Sequence, residues 1–463
     1  MKTLKYTARF TGMLAVAGIA AMTITSCGKK GCTDPLATNY DPDATKYDAS
    51  CEYGTIENFV FAQTFTPNGN SHEDPGVTST SLIPANNLTA GTAPTDSWFD
   101  NVTYKGAFDA TDWTAGWTFY DGYFPNVIPG GSDTLRGAIT DEVTLSANTV
   151  WYLDGFVYVE DGAELTIDAG TIIKGLPGTG ADASALIIAR GGTITANGTQ
   201  AAPIIMTYAG DPLDGTTSPD TRGEWGGLII LGNASLNSSP GSTQVEGIPT
   251  TESFGLYGGN DDADGSGFIR YLSIRHGGTD IGAGNEINGL TLGGVGTGTD
   301  IRYVEVAANA DDGVEFFGGT VNTKNLLTVG CGDDSFDYDE GFRGKGQFWV
   351  TVQDDVEGDR GGEHDGGTDP ETAEPYAKPI IYNCTYVGNG TGRALTFRDN
   401  AGGEYHNSIF VNWDKGVDIE DLDSGEDSFS RHEGGDLNLA GNVFFNIGAG
   451  STDEDLFKVS TPD

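Results

Sequence analysis

The chain has 463 residues, with 24 Lys and Arg against 67 Asp and Glu, a formal net charge of −43. Such an acidic surface argues against nucleic acid or anionic lipid as partners and leaves cations, cationic surfaces or plain solubility in a salty exterior. Hydrophobic residues make up 37% and recur periodically, so disorder is a poor reading and the chain is long enough for a large core.

Lys2, Lys5 and Arg9 precede an apolar stretch over residues 13–24, the layout of a secretory signal and too short to span a bilayer as a mature helix. It closes on Ile24-Thr25-Ser26-Cys27, which resembles the bacterial lipobox and implies that the Cys27 thiol takes a diacylglycerol. An ordinary cleaved signal is the alternative. Removal of residues 1–26 takes away those three positive charges and brings the net charge to −46. No later stretch is apolar enough to cross a membrane, so acyl chains are the expected membrane anchor.

Residues 27–54 read as the anchor and a small module, in which Cys32 and Cys51 bracket a loop of Asp, Asn, Pro and Thr and are expected to pair in an oxidising envelope. The module resembles a short cysteine-bracketed repeat of secreted proteins of the Bacteroidetes. Asn39, Asp41 and Asp43 alternate as the oxygen ligands of calcium loops do, but the glycine turn and terminal Glu of an EF-hand are absent. A disulfide-closed spacer is the other reading.

Residues 55–139 are loop-rich and aromatic, with Trp98, Phe99, Trp113, Trp117, Phe119, Tyr120, Tyr123 and Phe124 close together. They are expected to form a cap that plugs an open end of a stacked sheet, because an exposed β edge invites aggregation. Stacking on sugar rings is the alternative.

From residue 140 to 463 short β-branched or aromatic runs such as WYL, FVYV, ALIIA and GLIIL alternate with glycine-rich turns. Aligning Val304-Glu305-Val306 with Leu327-Thr328-Val329, and these with Val350-Thr351-Val352, gives a period of 23 residues. That period predicts an all-β fold, a right-handed parallel β-helix whose coils stack about 4.8 Å apart. A leucine-rich repeat would show its asparagine ladder, and a propeller would need a period near 40.

The run GTIIKG, RGGTITANGT, RGEWGGLIILGNA, NADDGVEFFGGTVNTK, GDDSFDYDEGFRGKGQFWV, EHDGG and ALTFRDNAGGEYHNSIF resembles a set of exported β-helix proteins of the Bacteroidetes and marine bacteria, over most of residues 140–415. The resemblance implies fold and export but no established activity. Many relatives end in a sorting domain of type IX secretion. This chain stops at Thr461-Pro462-Asp463, which agrees with a lipid anchor on the outer membrane. Gly28-Lys29-Lys30 is not an acidic export run, so the cell surface and the periplasmic face both stay open.

The sharpest chemical feature is acid stacked on acid: Asp311-Asp312, Asp333-Asp334 and Asp354-Asp355 on successive coils, with Glu315 and Asp337 in register 22 residues apart. Stacking puts carboxylates within about 5 Å, where each like-charged pair costs about 1 kcal/mol in water and several times more at lower dielectric. Calcium on Asp311, Asp312, Asp333, Asp334 and Asp337 is the simplest compensation, since it takes hard oxygen ligands in irregular geometry. Arg343, Lys345 or Arg360 are alternative neutralisers, and a solvated ridge is the bland reading.

The preferred function is a calcium-stabilised β-helix lipoprotein for adhesion or glycan contact, with no assigned catalytic residue. The competing class is a polysaccharide lyase or glycoside hydrolase on an acidic glycan. Pectate lyases use carboxylate-held calcium with an arginine or lysine base, which Arg343, Arg360, Arg393 or Arg398 would supply. Polygalacturonases use carboxylates on adjacent coils, but their glycine-flanked histidine and Arg-x-Lys signature are missing. His72, His276, His364, His406 and His432 show no zinc spacing. His364, between Glu363 and Asp365, is expected in a loop with a raised tendency to protonate. Cys331 and Cys384 fall on coils separated by a whole coil, about 9–10 Å apart, and are expected to be free and buried.

Overall fold

The computed structural model describes residues 29–31, 46–47, 68–450 and 456–460, apart from residues 87, 92, 247, 249–251, 282–286 and 368–369. The leader, Cys27, Cys32, Cys51, Asn39, Asp41 and Asp43 lie outside the described residues. The chain divides into two units, residues 1–54 and 55–463. In the first, Lys30–Gly31 pairs in parallel with Lys46–Tyr47.

The second unit is a right-handed parallel β-helix. Among the described residues 27 strands join in one hydrogen-bonded network, and three sheets, here A, B and C, run the length of the solenoid. Each coil contributes one strand to each sheet. One coil, for example, places Asp300–Ala307 across sheets A and B, and Val314–Phe317 in sheet C. Among the described residues no helix is long and apolar enough to cross a membrane.

Residues alternate in and out of each strand, and parallel pairing stacks like on like. In sheet C the inward column reads Ile188, Ile230, Leu292, Phe316, Tyr338, His364, Phe397 and Ile419. All eight are buried in one continuous core. Apolar area removed from water, at about 25 cal/mol per Å², makes this stack the main source of stability. The corner between sheets A and B is equally regular: Tyr271, Tyr303, Asn325, Phe348, Asn383 and Asn407 all adopt positive φ, between 48° and 61°. Three are asparagine, whose short polar side chain tolerates that conformation best.

The structure corrects the coil period. Val304 pairs with Leu326, 22 residues on, whereas Leu327 pairs with Val350, 23 on. The expected alignment of Val304 with Leu327 was one residue off, which would have turned every side chain of that strand to the wrong face. Later coils lengthen to 35 (Val350 to Thr385) and 34 (Ile409 to Val443) through surface insertions.

The solenoid also starts earlier than residue 140, at the strand Gly131–Ile139, which pairs along its length with Thr149–Val159. The aromatic segment before it is not an end plug. Ser71 bridges to Val443 near the last coil, Gly91 donates to Asn407 Oδ1 at 2.7 Å, Asp100 donates to Gln347 Oε1 at 2.8 Å, and Trp117 packs edge-on to Tyr271. Residues 68–130 are therefore a strap laid along sheet B from the last coils towards the first. The reason is area: sheet B turns Leu327, Val350, Val352, Ile409 and Val411 outward, and the strap buries them under Val77, Leu82, Leu88 and Phe108. Glu305, also outward and fully buried, accepts from the backbone N–H groups of Phe119 and Tyr120 at 2.7 and 2.9 Å and from Ser273 Oγ at 2.6 Å.

Candidate functional site

The outward side of sheet C has two halves. Its outward column begins Tyr158, Ile187, Ile229 and Thr291 and continues Glu315, Asp337 and Glu363. Over the first half, the described part of residues 236–257 folds back as a cover in which Leu236, Val245, Ile248 and Tyr257 pack on Ile187, Ile229 and Leu231. Where the cover ends a polar cleft of about 570 Å³ opens, lined by Glu246, Asn288, Asp311, Asp312, Glu315, Asp333, Asp337 and Glu363 among others.

Local chain geometry explains the acid pairs. Asp311-Asp312 and Asp333-Asp334 sit at the corner from sheet B to sheet C, just before the strands Val314–Phe317 and Phe336–Asp339. There the second aspartate of each pair caps the next coil. Asp312 Oδ1 accepts from the Asp334 N–H at 2.9 Å, and Asp334 Oδ1 accepts from the Arg360 N–H at 2.5 Å. Coils approach too closely here for a side chain: a Cβ on Gly332 would sit 2.0 Å from the Ala310 carbonyl.

Three oxygens, one each from Asp312, Glu315 and Asp337, lie within 4.8 Å of one another, and so do three from Asp311, Asp312 and Asp333. Burial, then the charges of Asp334 and Glu315, pushes the Asp312 carboxyl well above its ordinary range. Burial followed by Asp311 and Glu246 does the same to Glu315, and burial followed by Glu315 and Asp312 to Asp337. Asn288 Nδ2 donates to Glu315 Oε2. Among the described residues the buried Asp337 Oδ1 has no hydrogen-bond donor. Such an oxygen is costly to leave bare and suits a cation.

Of the five expected ligands, Asp311, Asp312, Asp333 and Asp337 line this cleft. Asp334 accepts from Arg360, through the N–H and through Nη1 at 3.2 Å, and one of its oxygens lies within 4.8 Å of one each from Asp333 and Asp359. Asp354-Asp355 does not continue the ladder: Asp354 pairs with Arg222, and Asp359 takes the next place, its N–H on the Asp333 carbonyl. The insertion after Val352 displaces the register. Arg343 and Lys345 pair elsewhere, with Asp262 and Asp96. Glu246 and Glu363 join the cleft without having been singled out as ligands. Glu363 follows Asp337 by 26 residues instead of 22, which hides its register, and Glu246 lies in the cover, which no repeat announces.

At the cleft's far edge Arg360 pairs with Glu363 at 3.0 Å, and Arg398 pairs with Glu363 at 2.8 Å and Asp365 at 2.7 Å. Burial works to lower the Arg398 pKa, but Asp365 and Glu363 outweigh it and raise it. His364 corrects the loop reading. It points into the core, stacked on Tyr338 with ring centroids 4.0 Å apart, its Nε2 2.8 Å from Tyr405 Oη. Burial depresses its pKa to about 3, the opposite of a raised tendency to protonate. Cys331 and Cys384 are free and buried.

Coil, corner ladder and acidic cleft together define a parallel β-helix that carries a carboxylate-lined cleft on one face. Residues 137–461 match the family of pectate-lyase-like β-helix domains, and the chain belongs to that family. No curated protein and no solved structure matches the chain significantly.

Proposed function

We propose that the cleft binds calcium through Asp312, Glu315 and Asp337, with Asp311 and Asp333 at its mouth, and that the ion lets this acidic lipoprotein hold an acidic polysaccharide at the cell envelope. The observation that carries the reading is the crowding of Asp312, Glu315 and Asp337, together with a buried Asp337 oxygen that accepts a hydrogen bond from none of the described residues. A magnesium ion, which dehydrates reluctantly, suits a set of close and irregular carboxylates less well than calcium. An anionic glycan would be repelled by the bare cleft, so its carboxylates need a bridging cation. Tethering through Cys27 would put this surface outside the cytoplasm.

A lyase reading is favoured by the family and by Arg398, whose side chain is 42% exposed at the cleft edge. Against it, ion pairs hold the Arg398 proton more firmly, the wrong direction for a base. The test is calcium and polygalacturonate titration of the full chain beside Asp312→Asn/Asp337→Asn, with an assay for unsaturated uronide products. Calcium-dependent glycan binding without product supports the binding reading, and product formation replaces it with the lyase. Glycan binding that survives in chelator, or no binding at all, removes it.

A further inference from the structure

A second carboxylate cluster lies on the same solenoid, beyond the cleft. Glu371, Asp399 and Glu420 come from three separate places: the insertion after Asp365, the end of the strand Arg393–Arg398, and the end of the strand Lys415–Glu420 on the next coil. One oxygen of each lies within 4.8 Å of the other two. The Asp399 N–H donates to Glu420 Oε2 at 2.8 Å, which holds the two coil ends together. Among the described residues no Lys or Arg pairs with any of the three.

The neighbouring Asn400 supplies an independent sign of a missing ligand. It is fully buried, its Nδ2 donates to the Glu371 carbonyl at 3.0 Å, and its Oδ1 has no partner among the described residues. Both atoms belong to one planar amide, so the orphan oxygen is two covalent bonds from a nitrogen that touches Glu371. A buried amide oxygen without a donor is costly, and with three carboxylates gathered at the coil ends and insertion that Asn400 also joins, a hard cation would satisfy the amide and the acids at once.

We propose that Glu371, Asp399, Glu420 and the Asn400 amide oxygen form a second divalent-cation site, of calcium type, separate from the cleft. Three carboxylates and one amide oxygen are hard ligands of the kind calcium takes, and water completes the number it needs. The ion would tie the insertion that follows Asp365 to two consecutive coils. That insertion also leans on the next one through Tyr376 Oη, which donates to Glu426 at 2.8 Å, and through Arg431 over the Tyr376 ring at 4.0 Å. The second site would thereby brace the edge of the cleft formed by Asp365 and Arg398. It stands without the cleft reading, because none of its ligands lines the cleft.

The experiment is a count of bound calcium by equilibrium dialysis and calorimetry on the full chain, Asp399→Asn/Glu420→Gln, and Asp312→Asn/Asp337→Asn. Both replacements at the second site are close in shape, and asparagine suits the positive φ of 50° at Asp399. The first variant is expected to bind one calcium fewer than the wild type and to lose calcium-dependent protection of residues 370–377 from proteolysis. The cleft variant is expected to keep that protection. An unchanged count in Asp399→Asn/Glu420→Gln, with folding verified by circular dichroism, overturns the site and leaves protons as the neutralising agent. A loss in this variant alone keeps the second site and removes calcium from the cleft.

Discussion

Ile229 and Glu315 occupy the same outward column of the same sheet, two coils apart, yet one lies under a hydrophobic cover and the other in an acidic cleft. The backbone around them is the same parallel ladder. What differs is the chain laid over it: residues 236–257 bury the first half and stop short of the second. A solenoid fixes the spacing of its side chains, and its insertions decide which positions become core and which become site.

The strongest way to break this comparison is to put an acid under the cover. Ile229→Asp buries an unpaired carboxylate against Tyr257 and Leu236 and is expected to cost about 3 kcal/mol or more, read as a lower urea midpoint. If the loss is under about 1 kcal/mol, the cover is loose and the two halves are not distinct. Calcium should sharpen the contrast from the other side. At 100 times its dissociation constant it is expected to add about 2.7 kcal/mol per site, an increment that Asp312→Asn/Asp337→Asn should reduce and Ile229→Val should leave intact. The reverse exchange, Asp337→Val, removes a buried repelled acid. Without metal it is expected to gain about 1–2 kcal/mol, as hydrophobic replacement of buried charges often does, while weakening the calcium response.

The pH dependence follows from the same crowding. Asp399 is raised to about 6 and Glu420 to about 7, both chiefly by burial, and burial also raises the cleft acids Asp312 and Asp337 well above their ordinary range. A carboxyl raised on folding contributes stability that is full below its unfolded value, near pH 4, and is lost as pH rises through the folded value. In chelator the melting temperature should therefore fall between about pH 4 and 7, and calcium should flatten the fall. His364 works the other way, losing stability as pH drops from its unfolded value of 6.5 towards about 3, so His364→Phe should steepen the metal-free decline relative to wild type. A metal-free protein whose stability rises steadily to pH 7 contradicts the crowding. The smallest effect belongs to Arg136→Ala, whose exposed pair with Asp154 should change stability by less than about 0.5 kcal/mol.

Much of this was legible beforehand. The repeat gave the parallel β-helix, because a fixed period of short β-branched runs has few other solutions, and stacking alone placed Asp311, Asp312, Asp333 and Asp337 together. The free state of Cys331 and Cys384 followed from coil spacing. Three of the differences share one cause. Asp354-Asp355, Glu363 and the one-residue slip at Val304 all depend on where an insertion or an uneven coil shifts the register. His364 was misread because its acidic neighbours point outward while it points in, a consequence of strand alternation that a loop assignment conceals.

The amino-acid sequence by itself determined the solenoid, its acidic character and the adjacency of its aspartates, since these depend on local pattern and on the 4.8 Å repeat that hydrogen bonding imposes. Only the tertiary structure decided that the aromatic segment is a strap along sheet B, that Asp334 serves Arg360, and that Glu246 and Glu371 meet acids far away in the chain. Those contacts are made by insertions folding onto a finished surface, and no periodicity in the chain encodes where such a segment lands.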